Sequence, residues 1–391
     1  MKYHCHDCDN HFESEEIVYL CPECEKTNKE GEFRKGVLEV ELSDEIIKNV
    51  KNKEKVTPFD FFPYPECKKD AFPVGPTPVV VPYRINEKYN TNFKLKLDSQ
   101  LLSGSFKDRA SQLIAFQAIS QKQNKIVLAS TGNAGAAMSA IGAAYGLEIV
   151  LFVPATAPIN KLMQSILYNA RVIPVDGTYD DAFKLSIEYT KKFGGINRNT
   201  AYNPMTIEGK KSISIELFEQ LGRQVPDKVY VSTGDGCIFS GVYKGFKDLL
   251  TAGLIDKLPQ LICCQSKESN AISQAFITGE NKTVKATTLA DSISVSNPAN
   301  ALMAVRAIKE SGGYSIEVSD GDILKYQREL LALSGIFVEP AAATAYAAAV
   351  LDKEKGENPL ILLTGTGFKD MSVFSDIKLP KAIKSIDELT E

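Results

Sequence analysis

One lysine of the 391-residue chain stands where an amine could act as a nucleophile. Lys107 follows Gly104 and Ser105, which precede a predicted helix start, so its side chain falls in the first helical turn. The positive end of the helix dipole disfavours an ammonium group there and lowers its pKa, which favours nucleophilic chemistry. A solvated lysine beside Asp108 is the alternative, and this segment alone leaves both interpretations open.

A glycine-rich turn follows the predicted strand KVYVS and precedes a predicted helix. Its two glycines let the backbone approach a ligand closely, and the helix directs unpaired N–H groups and its positive dipole end at the same point. The carboxylate of Asp235 is expected to turn away or to accept a hydrogen bond from a neighbouring N–H. A plain strand-to-helix turn is the alternative. The predicted phosphate-binding residues are Gly234, Asp235, Gly236, Cys237 and Ile238.

Alternating strands and helices are predicted from about residue 93 onwards, which indicates parallel sheets covered by helices on both sides. Three strands, KIVLAS, KVYVS and PLILL, each run into a Thr-Gly segment: STGNAG, TGDG and TGTG. Ligands of open α/β sheets bind beyond the carboxyl ends of the strands. We therefore expect these three segments to share one ligand site.

Four cysteines near the N-terminus have the spacing of a zinc ribbon. Two Cys-x2-Cys pairs are separated by twelve residues, and the surrounding 1–34 segment has too few large aliphatic residues to form a core. Four thiolates at this spacing can close a tetrahedral structural zinc site, and the metal would then supply the folding energy. Iron of the rubredoxin type, ligation by His4, His6 or His11, and disulfides are the alternatives. The predicted ligands are Cys5, Cys8, Cys21 and Cys24.

Composition narrows the classes of function. The net charge of −4 and the pI of about 5.7 disfavour a nucleic-acid partner. All three histidines lie within the first eleven residues, so the main body must work through a lysine, a carboxylate or a cofactor. The polar N-terminus and the absence of a long apolar tract predict a cytoplasmic protein without a membrane span. Cys67, Cys237, Cys263 and Cys264 are interpreted as buried apolar residues.

Several segments resemble conserved blocks of the threonine synthases, over roughly residues 70 to 375. The segment SGSFKDR (103–109) resembles the cofactor-lysine motif, and STGNAG (130–135) resembles the loop that contacts substrate and cofactor. Similar matches occur at 203–211, 335–341 and 363–370. The lysine motif together with the STGN loop makes the resemblance specific.

The resemblance implies a pyridoxal 5'-phosphate enzyme with the fold of tryptophan synthase β, fold type II, in which Lys107 carries the cofactor as a Schiff base. It implies that Asn133 bonds the ring hydroxyl oxygen and that Phe106 packs beside the ring. It also implies that Thr364 bonds the pyridine nitrogen, where a neutral hydroxyl suits elimination and replacement over transamination. The residues implied to bind the substrate are Ser103, Ser130, Thr131, Gly132, Ala134 and Thr206.

Threonine synthase, which converts O-phosphohomoserine to threonine and phosphate, is the predicted activity. Thr206 stands where many threonine synthases have an arginine that binds the substrate phosphate, and TGTG and TGDG also depart from the family pattern. Cysteate synthase and serine or threonine dehydratase are therefore alternative activities. A zinc-ribbon interaction protein on an inactivated enzyme fold is the non-enzymatic alternative. A homodimer is a further expectation from the resemblance.

The predicted fold is α/β, with two open parallel-sheet domains, the cofactor in the cleft between them, and the four-cysteine module at the N-terminus. The predicted segments are a module at 1–34, an arm and the first part of the large domain at 35–120, a small domain at 121–204, and the large domain at 205–391. The Pro-rich stretch 57–82 is predicted to be an extended arm over a domain surface.

Overall fold

Three sheets organise the computed structural model of the chain. The structure describes residues 1–29, 31–64, 72, 74–375, 377, 378, 382 and 385. Within these residues, no helix has the length and apolar character needed to cross a membrane. Two of the sheets form the α/β body, and a small antiparallel sheet belongs to the N-terminal module. The predicted α/β class with a separate N-terminal module is confirmed.

The N-terminal module is a hairpin followed by a short helix and a returning strand. The hairpin strands pair antiparallel, and the third strand pairs with the first. Ser43 caps the following helix by accepting a hydrogen bond from the N–H of Ile46. The elements are β1 (Lys2–Cys5), β2 (Asn10–Glu13), α1 (Pro22–Glu25), β3 (Glu39–Val40) and α2 (Asp44–Lys51).

The four-stranded sheet is entirely parallel, in the order β8-β7-β6-β9. Its two central strands, β7 and β6, are nearly continuous apolar runs, as expected for strands covered on both faces. All of its strands fall within the predicted small domain, 121–204; the domain boundaries themselves stay a prediction. Its strands and helices are β6 (Lys125–Ala129), α5 (Asn133–Tyr145), β7 (Glu148–Pro154), α6 (Ile159–Leu167), β8 (Arg171–Val175), α7 (Tyr179–Phe193) and β9 (Ile196–Asn197).

The six-stranded sheet has the order β12-β11-β10-β13-β5-β4 and is parallel except for its edge strand β4. Its chain begins with β4 (Val79–Val80), α3 (Tyr83–Tyr89), β5 (Lys94–Leu97) and α4 (Lys107–Ser120). It resumes after the four-stranded sheet with α8 (Met205–Glu208), α9 (Ser212–Gln220), β10 (Lys228–Ser232), α10 (Cys237–Thr251), β11 (Gln260–Ser266), α11 (Ala271–Thr278), α12 (Ala301–Glu310), β12 (Tyr314–Val318), α13 (Asp320–Ser334), α14 (Pro340–Leu351) and β13 (Pro359–Leu363).

Most predicted elements are present, with two differences. The sequence IEGKKSISIELFEQLG (207–222) predicts one helix, but that helix is broken: α8 ends at Glu208, a single 3-10 turn covers Gly209–Lys211, and α9 begins at Ser212. The predicted arm at 57–82 contains a 3-10 turn and β4, but its central residues 65–71 and 73 lie outside the described residues, as does Cys67. The other three isolated cysteines are buried as expected.

A buried ion network fixes the helix that carries Lys107. The guanidinium of Arg109, in the first turn of α4, donates to Asp98 at 2.5 and 2.9 Å and to Glu216 of α9 at 2.8 Å. Lys96 of β5 also donates to the carboxylate of Glu216. Because both partners of each pair are desolvated, loss of one would leave an uncompensated charge. The network therefore fixes the start of α4 against β5 and α9.

Candidate active site

One cavity of about 190 Å³ lies where the carboxyl ends of β6, β10 and β13 meet the start of α4. The three Thr-Gly segments therefore converge, although β6 belongs to one sheet and the other two strands to another. Most predicted site residues lie on this cavity wall: Lys107, Ser130, Thr131, Gly132, Asn133, Ala134, Gly234, Asp235, Gly236, Cys237, Ile238 and Thr364.

The loop before Lys107 is hydrogen-bonded to the end of β13. The N–H of Phe106 donates to the carbonyl of Thr364 at 2.8 Å, and the N–H of Thr366 donates to the carbonyl of Gly104 at 3.0 Å. Gly104 has φ +79°, and a Cβ there would lie 2.8 Å from Cγ2 of Thr366. Glycine is required at this position, and the two segments together place Lys107 beside Thr364.

Burial lowers the pKa of Lys107, while the carboxylates of Glu339 and Asp235 oppose that shift. The first-turn position adds to the effect, because the helix dipole disfavours a cation there. A lowered pKa increases the neutral fraction of the amine, which is the form that condenses with an aldehyde or accepts a proton.

The turn after β10 has the geometry of a phosphate cradle. Gly236 has φ +88°, and a Cβ at this position would lie 2.8 Å from the carbonyl oxygen of Asn300. The fifteen-residue helix α10 begins directly after it at Cys237 and directs its first N–H groups at the cavity. Oδ1 of Asp235 accepts a long hydrogen bond of 3.5 Å from the N–H of Ala299, as expected of a carboxylate that caps a neighbouring N–H.

A second helix N-terminus faces the same cavity. Oγ of Ser130 accepts hydrogen bonds from the N–H groups of Gly135 at 3.0 Å and Gly132 at 3.4 Å, which closes the loop before α5. The first helical residues, Asn133 and Ala134, also line the cavity. Their N–H groups precede the first intrahelical bonds and are suited to bind a carboxylate.

Glu339 is a cavity residue to which the sequence assigned no role. Nδ2 of Asn133 donates to its two carboxylate oxygens at 3.1 and 3.0 Å, and Oγ of Ser292 donates to it at 3.3 Å. Burial raises the pKa of Glu339, and the hydrogen bond from Asn133 opposes the shift. Glu339 was detectable as the lone charge in the apolar segment GIFVEPAAATAYAAAV.

Three predicted site residues do not lie on the cavity wall. Phe106 is fully buried in the apolar core, with the Arg109 guanidinium 5.7 Å from its ring centre. Ser103 is also buried, and its hydroxyl bonds that of Ser105 at 3.3 Å. The hydroxyl of Thr206, likewise buried, donates to the carbonyl of Asn203 at 2.7 Å. Their assigned roles at the ring or the substrate stay predictions that the cavity geometry does not support.

The four N-terminal cysteines form a separate cluster. Sγ of Cys5 lies 3.7 Å from Sγ of Cys24, and Sγ of Cys8 lies 3.7 Å from Sγ of Cys21. All four sulfurs lie within 4.8 Å of one another. Tetrahedral zinc with Zn–S bonds of about 2.3 Å implies sulfur–sulfur distances of roughly 3.8 Å, so the cluster fits a structural zinc ion.

The fold and the cavity define a class of α/β protein in which a lysine lies between a glycine-rich turn at one helix start and a second helix N-terminus. A family model described as "Pyridoxal-phosphate dependent enzyme" matches residues 71–365. The chain belongs to this family.

Two curated relatives extend over nearly the whole chain. The chain is 31% identical to the threonine synthase of Methanocaldococcus jannaschii, covering 95% of this chain and 93% of the relative. It is 30% identical to the threonine synthase of Methanosarcina acetivorans, covering 96% of this chain and 94% of the relative. The chain is therefore a threonine-synthase-like, pyridoxal-phosphate-dependent enzyme, as the sequence predicted.

Solved structures agree on the fold. Maize serine racemase superimposes with a TM-score of 0.68 at 22% identity, over 77% of this chain and 91% of that one. The processed form of threonine deaminase isoform 2 from Solanum lycopersicum gives a TM-score of 0.69 at 18% identity, over 93% of this chain and 96% of that one. These likenesses confirm the predicted fold of two α/β units.

Proposed function

We propose that the chain is a threonine synthase, which converts O-phosphohomoserine and water to threonine and phosphate. The observation that carries the proposal is the single cavity in which a desolvated lysine, a phosphate-binding turn and a carboxylate-binding helix end converge. The two curated relatives that span the chain at 30 to 31% identity support the same activity.

The cavity fits pyridoxal 5'-phosphate. The turn at 234–238 would hold the phosphate, because Gly236 leaves the space that a Cβ would fill and α10 supplies N–H donors. Thr364 would offer a neutral hydroxyl to the ring nitrogen, and Lys107 would supply the amine that attaches the cofactor. When bound, the cofactor supplies an electron sink for carbanions on the substrate.

Lys107 is the proposed acid and base. Its Nζ would take one proton from Cα and one from Cβ of the substrate, and return one proton to Cγ after the Cγ–O bond to phosphate breaks and one to Cα at the end. Water supplies a hydroxyl group to Cβ, and its remaining proton balances the released phosphate. Burial favours this role, because an amine with a lowered pKa is available to accept protons near neutral pH. The N–H groups of Asn133 and Ala134 hold the substrate carboxylate, which orients the Cα–H bond toward the lysine.

The assignment is tested by supplying three amino acids to the holoenzyme, with phosphate release measured for O-phosphohomoserine and O-phosphoserine and ammonia release measured for threonine. Turnover of O-phosphohomoserine well above that of O-phosphoserine and threonine is expected. A preference for O-phosphoserine would favour a cysteate-synthase type of reaction, and ammonia release from threonine would favour a dehydratase. Lys107→Ala should lose both the visible absorption band of the bound cofactor and the activity. A wild type that takes up no cofactor would refute the enzymatic proposal altogether.

We further propose that the N-terminal cysteine cluster binds one structural zinc ion. The four sulfurs leave no open coordination position, so the metal stabilises the module and takes no part in the reaction. A homodimer and a cytoplasmic location complete the proposal, both from the resemblance and the sequence.

A further inference from the structure

Lys210 is a second lysine on the wall of the cavity that holds Lys107. Only 1% of its surface is exposed, so its ammonium group is removed from bulk water. Its Nζ donates to the carbonyl oxygen of Thr206. An ammonium group has three N–H donors, and that bond uses one of them. The proposed function assigns roles to Lys107 and to the turn at 234–238, but none to Lys210.

Arg198 lies behind the same wall, at the end of β9. Its Nη1 donates to Oγ1 of Thr200 at 2.8 Å, and Thr200 lines the cavity. Nε and Nη2 of Arg198 are buried and have no hydrogen-bond partner within the described part of the chain. Its charge also interacts with Tyr179 and Cys237, which are both cavity residues. Buried donors of this kind are normally satisfied, so the guanidinium indicates an anionic ligand.

The charges of the cavity point to the same ligand class. Lys107 and Lys210 line the cavity together with two carboxylates, Asp235 and Glu339, and the guanidinium of Arg198 lies behind its wall. The carboxylate of Glu339 already accepts hydrogen bonds from Asn133 and Ser292. Burial lowers the pKa of Lys210 to about 7, and the charges of Arg198 and Lys107 act in the same direction. A bound dianion would offset both effects, because it favours the charged ammonium.

We propose that Lys210 and Arg198 form the subsite for the phosphate ester on the substrate side chain. This inference rests on the proposed function, and it explains how the chain recognises a phosphorylated amino acid although Thr206 replaces the expected arginine. Thr206 is buried with its hydroxyl bonded to Asn203, whereas Lys210 lies four residues later and reaches the cavity. The cofactor phosphate is then held by backbone N–H groups and the substrate phosphate by side chains.

The experiment uses Lys210→Met, which keeps the length of the side chain and removes its charge, in the cofactor-loaded enzyme. Calorimetry with inorganic phosphate and the KM values for O-phosphohomoserine and O-phosphoserine report on the subsite. Removing a charge-assisted hydrogen bond should weaken phosphate binding about 10- to 150-fold. Cofactor affinity, measured by its visible absorption band, should change by less than about threefold. Arg198→Met is the second variant and should weaken phosphate binding in the same way.

Lys369→Met is the matched control. Burial also lowers the pKa of Lys369, but its Nζ donates to Gln164 at 2.6 Å. Lys369 and Gln164 line a second, neighbouring cavity, here called the outer pocket. Phosphate affinity should stay within about threefold of wild type. A loss of phosphate binding in this control alone would place the anion in the outer pocket and overturn the proposal.

Two further outcomes would also overturn it. Unchanged phosphate affinity in both Lys210→Met and Arg198→Met would exclude the subsite. Parallel loss of cofactor and phosphate affinity would assign Lys210 to the cofactor phosphate instead. The two proposals fail separately: a wild type that turns over O-phosphoserine but not O-phosphohomoserine loses the threonine-synthase assignment, while a raised KM for O-phosphoserine in Lys210→Met still supports the subsite.

Discussion

Replacing Gly236 by alanine tests the phosphate-binding turn most directly. The residue has φ +88°, and the left-handed conformation costs an alanine about 1–2 kcal/mol. The added Cβ would also lie 2.8 Å from the carbonyl oxygen of Asn300 and 3.0 Å from Cβ of Ala304, so the turn must shift. Loss of one hydrogen bond to a charged phosphate costs about 1.5–3 kcal/mol. We therefore expect cofactor affinity to fall about 10- to 150-fold.

Gly253, just after the C-terminus of α10, provides the control. It has φ +69°, and a Cβ added there would meet no neighbouring atom of the described chain within 4 Å, so alanine meets the backbone cost without the crowding. Cofactor titration followed by visible absorption gives the affinities, and urea unfolding of the cofactor-free proteins gives the stabilities. Gly253→Ala should lower only the free energy of unfolding. Equal cofactor affinities for the two variants would refute the assignment of the turn.

Three further predictions concern the metal module and the buried charges. Cys8→Ser should reduce the zinc content measured by elemental analysis and lower the Tm; unchanged zinc content would argue against the site. Glu216→Leu should lower the free energy of unfolding by about 3–5 kcal/mol in urea, because Lys96 loses the carboxylate with which it pairs and Arg109 keeps only Asp98; a change below about 1 kcal/mol would contradict this. Burial raises the pKa of Asp108 to about 6, so ionisation of this carboxyl opposes folding as the pH rises from about 4 to 6. The free energy of unfolding of Asp108→Asn, measured in urea, should therefore rise relative to that of wild type over that interval, by at most roughly 1.4 kcal/mol per pH unit. A difference between the two proteins that does not change with pH would refute the raised pKa.

The strands and the turns after them were predictable because their signals are local. KIVLA, KVYVS and PLILL are apolar runs that end at Thr-Gly, and each forms a buried strand whose following loop reaches the cavity. The sequence AGAAMSAIGAAYG predicts a helix that ends at its last glycine, Gly146, and α5 ends there with a φ of +68°, a conformation that favours glycine. The same reasoning failed for the segment after Pro204, where periodicity alone indicated one helix instead of two helices joined by a 3-10 turn.

The long-range pairings of the site were not predictable in this way. Glu339 meets Asn133 across 206 positions of sequence, and no local pattern states that two such residues face each other. Arg198 and Lys210 lie in a segment with several polar residues, so their burial has no signature in composition or spacing. The sequence showed that Thr206 replaces the expected arginine, whereas only the folded structure showed that Lys210 lies on the cavity wall.

Backbone packing fixes the distance between the glycine-rich turn at 234–238 and Lys210, the two proposed phosphate-binding positions. Gly241 on α10 lies so close to the preceding segment that a Cβ would come within 2.4 Å of Cβ of Lys210, and a Cβ at Gly245 would lie 2.4 Å from the carbonyl of Lys211. The helix α10, which begins at the glycine-rich turn, is thus in direct contact with the segment that carries Lys210, the cation proposed to bind the substrate phosphate. Under the proposed assignment, the chain length of the amino acid is selected by this close backbone contact between α10 and the 3-10 turn Gly209–Lys211.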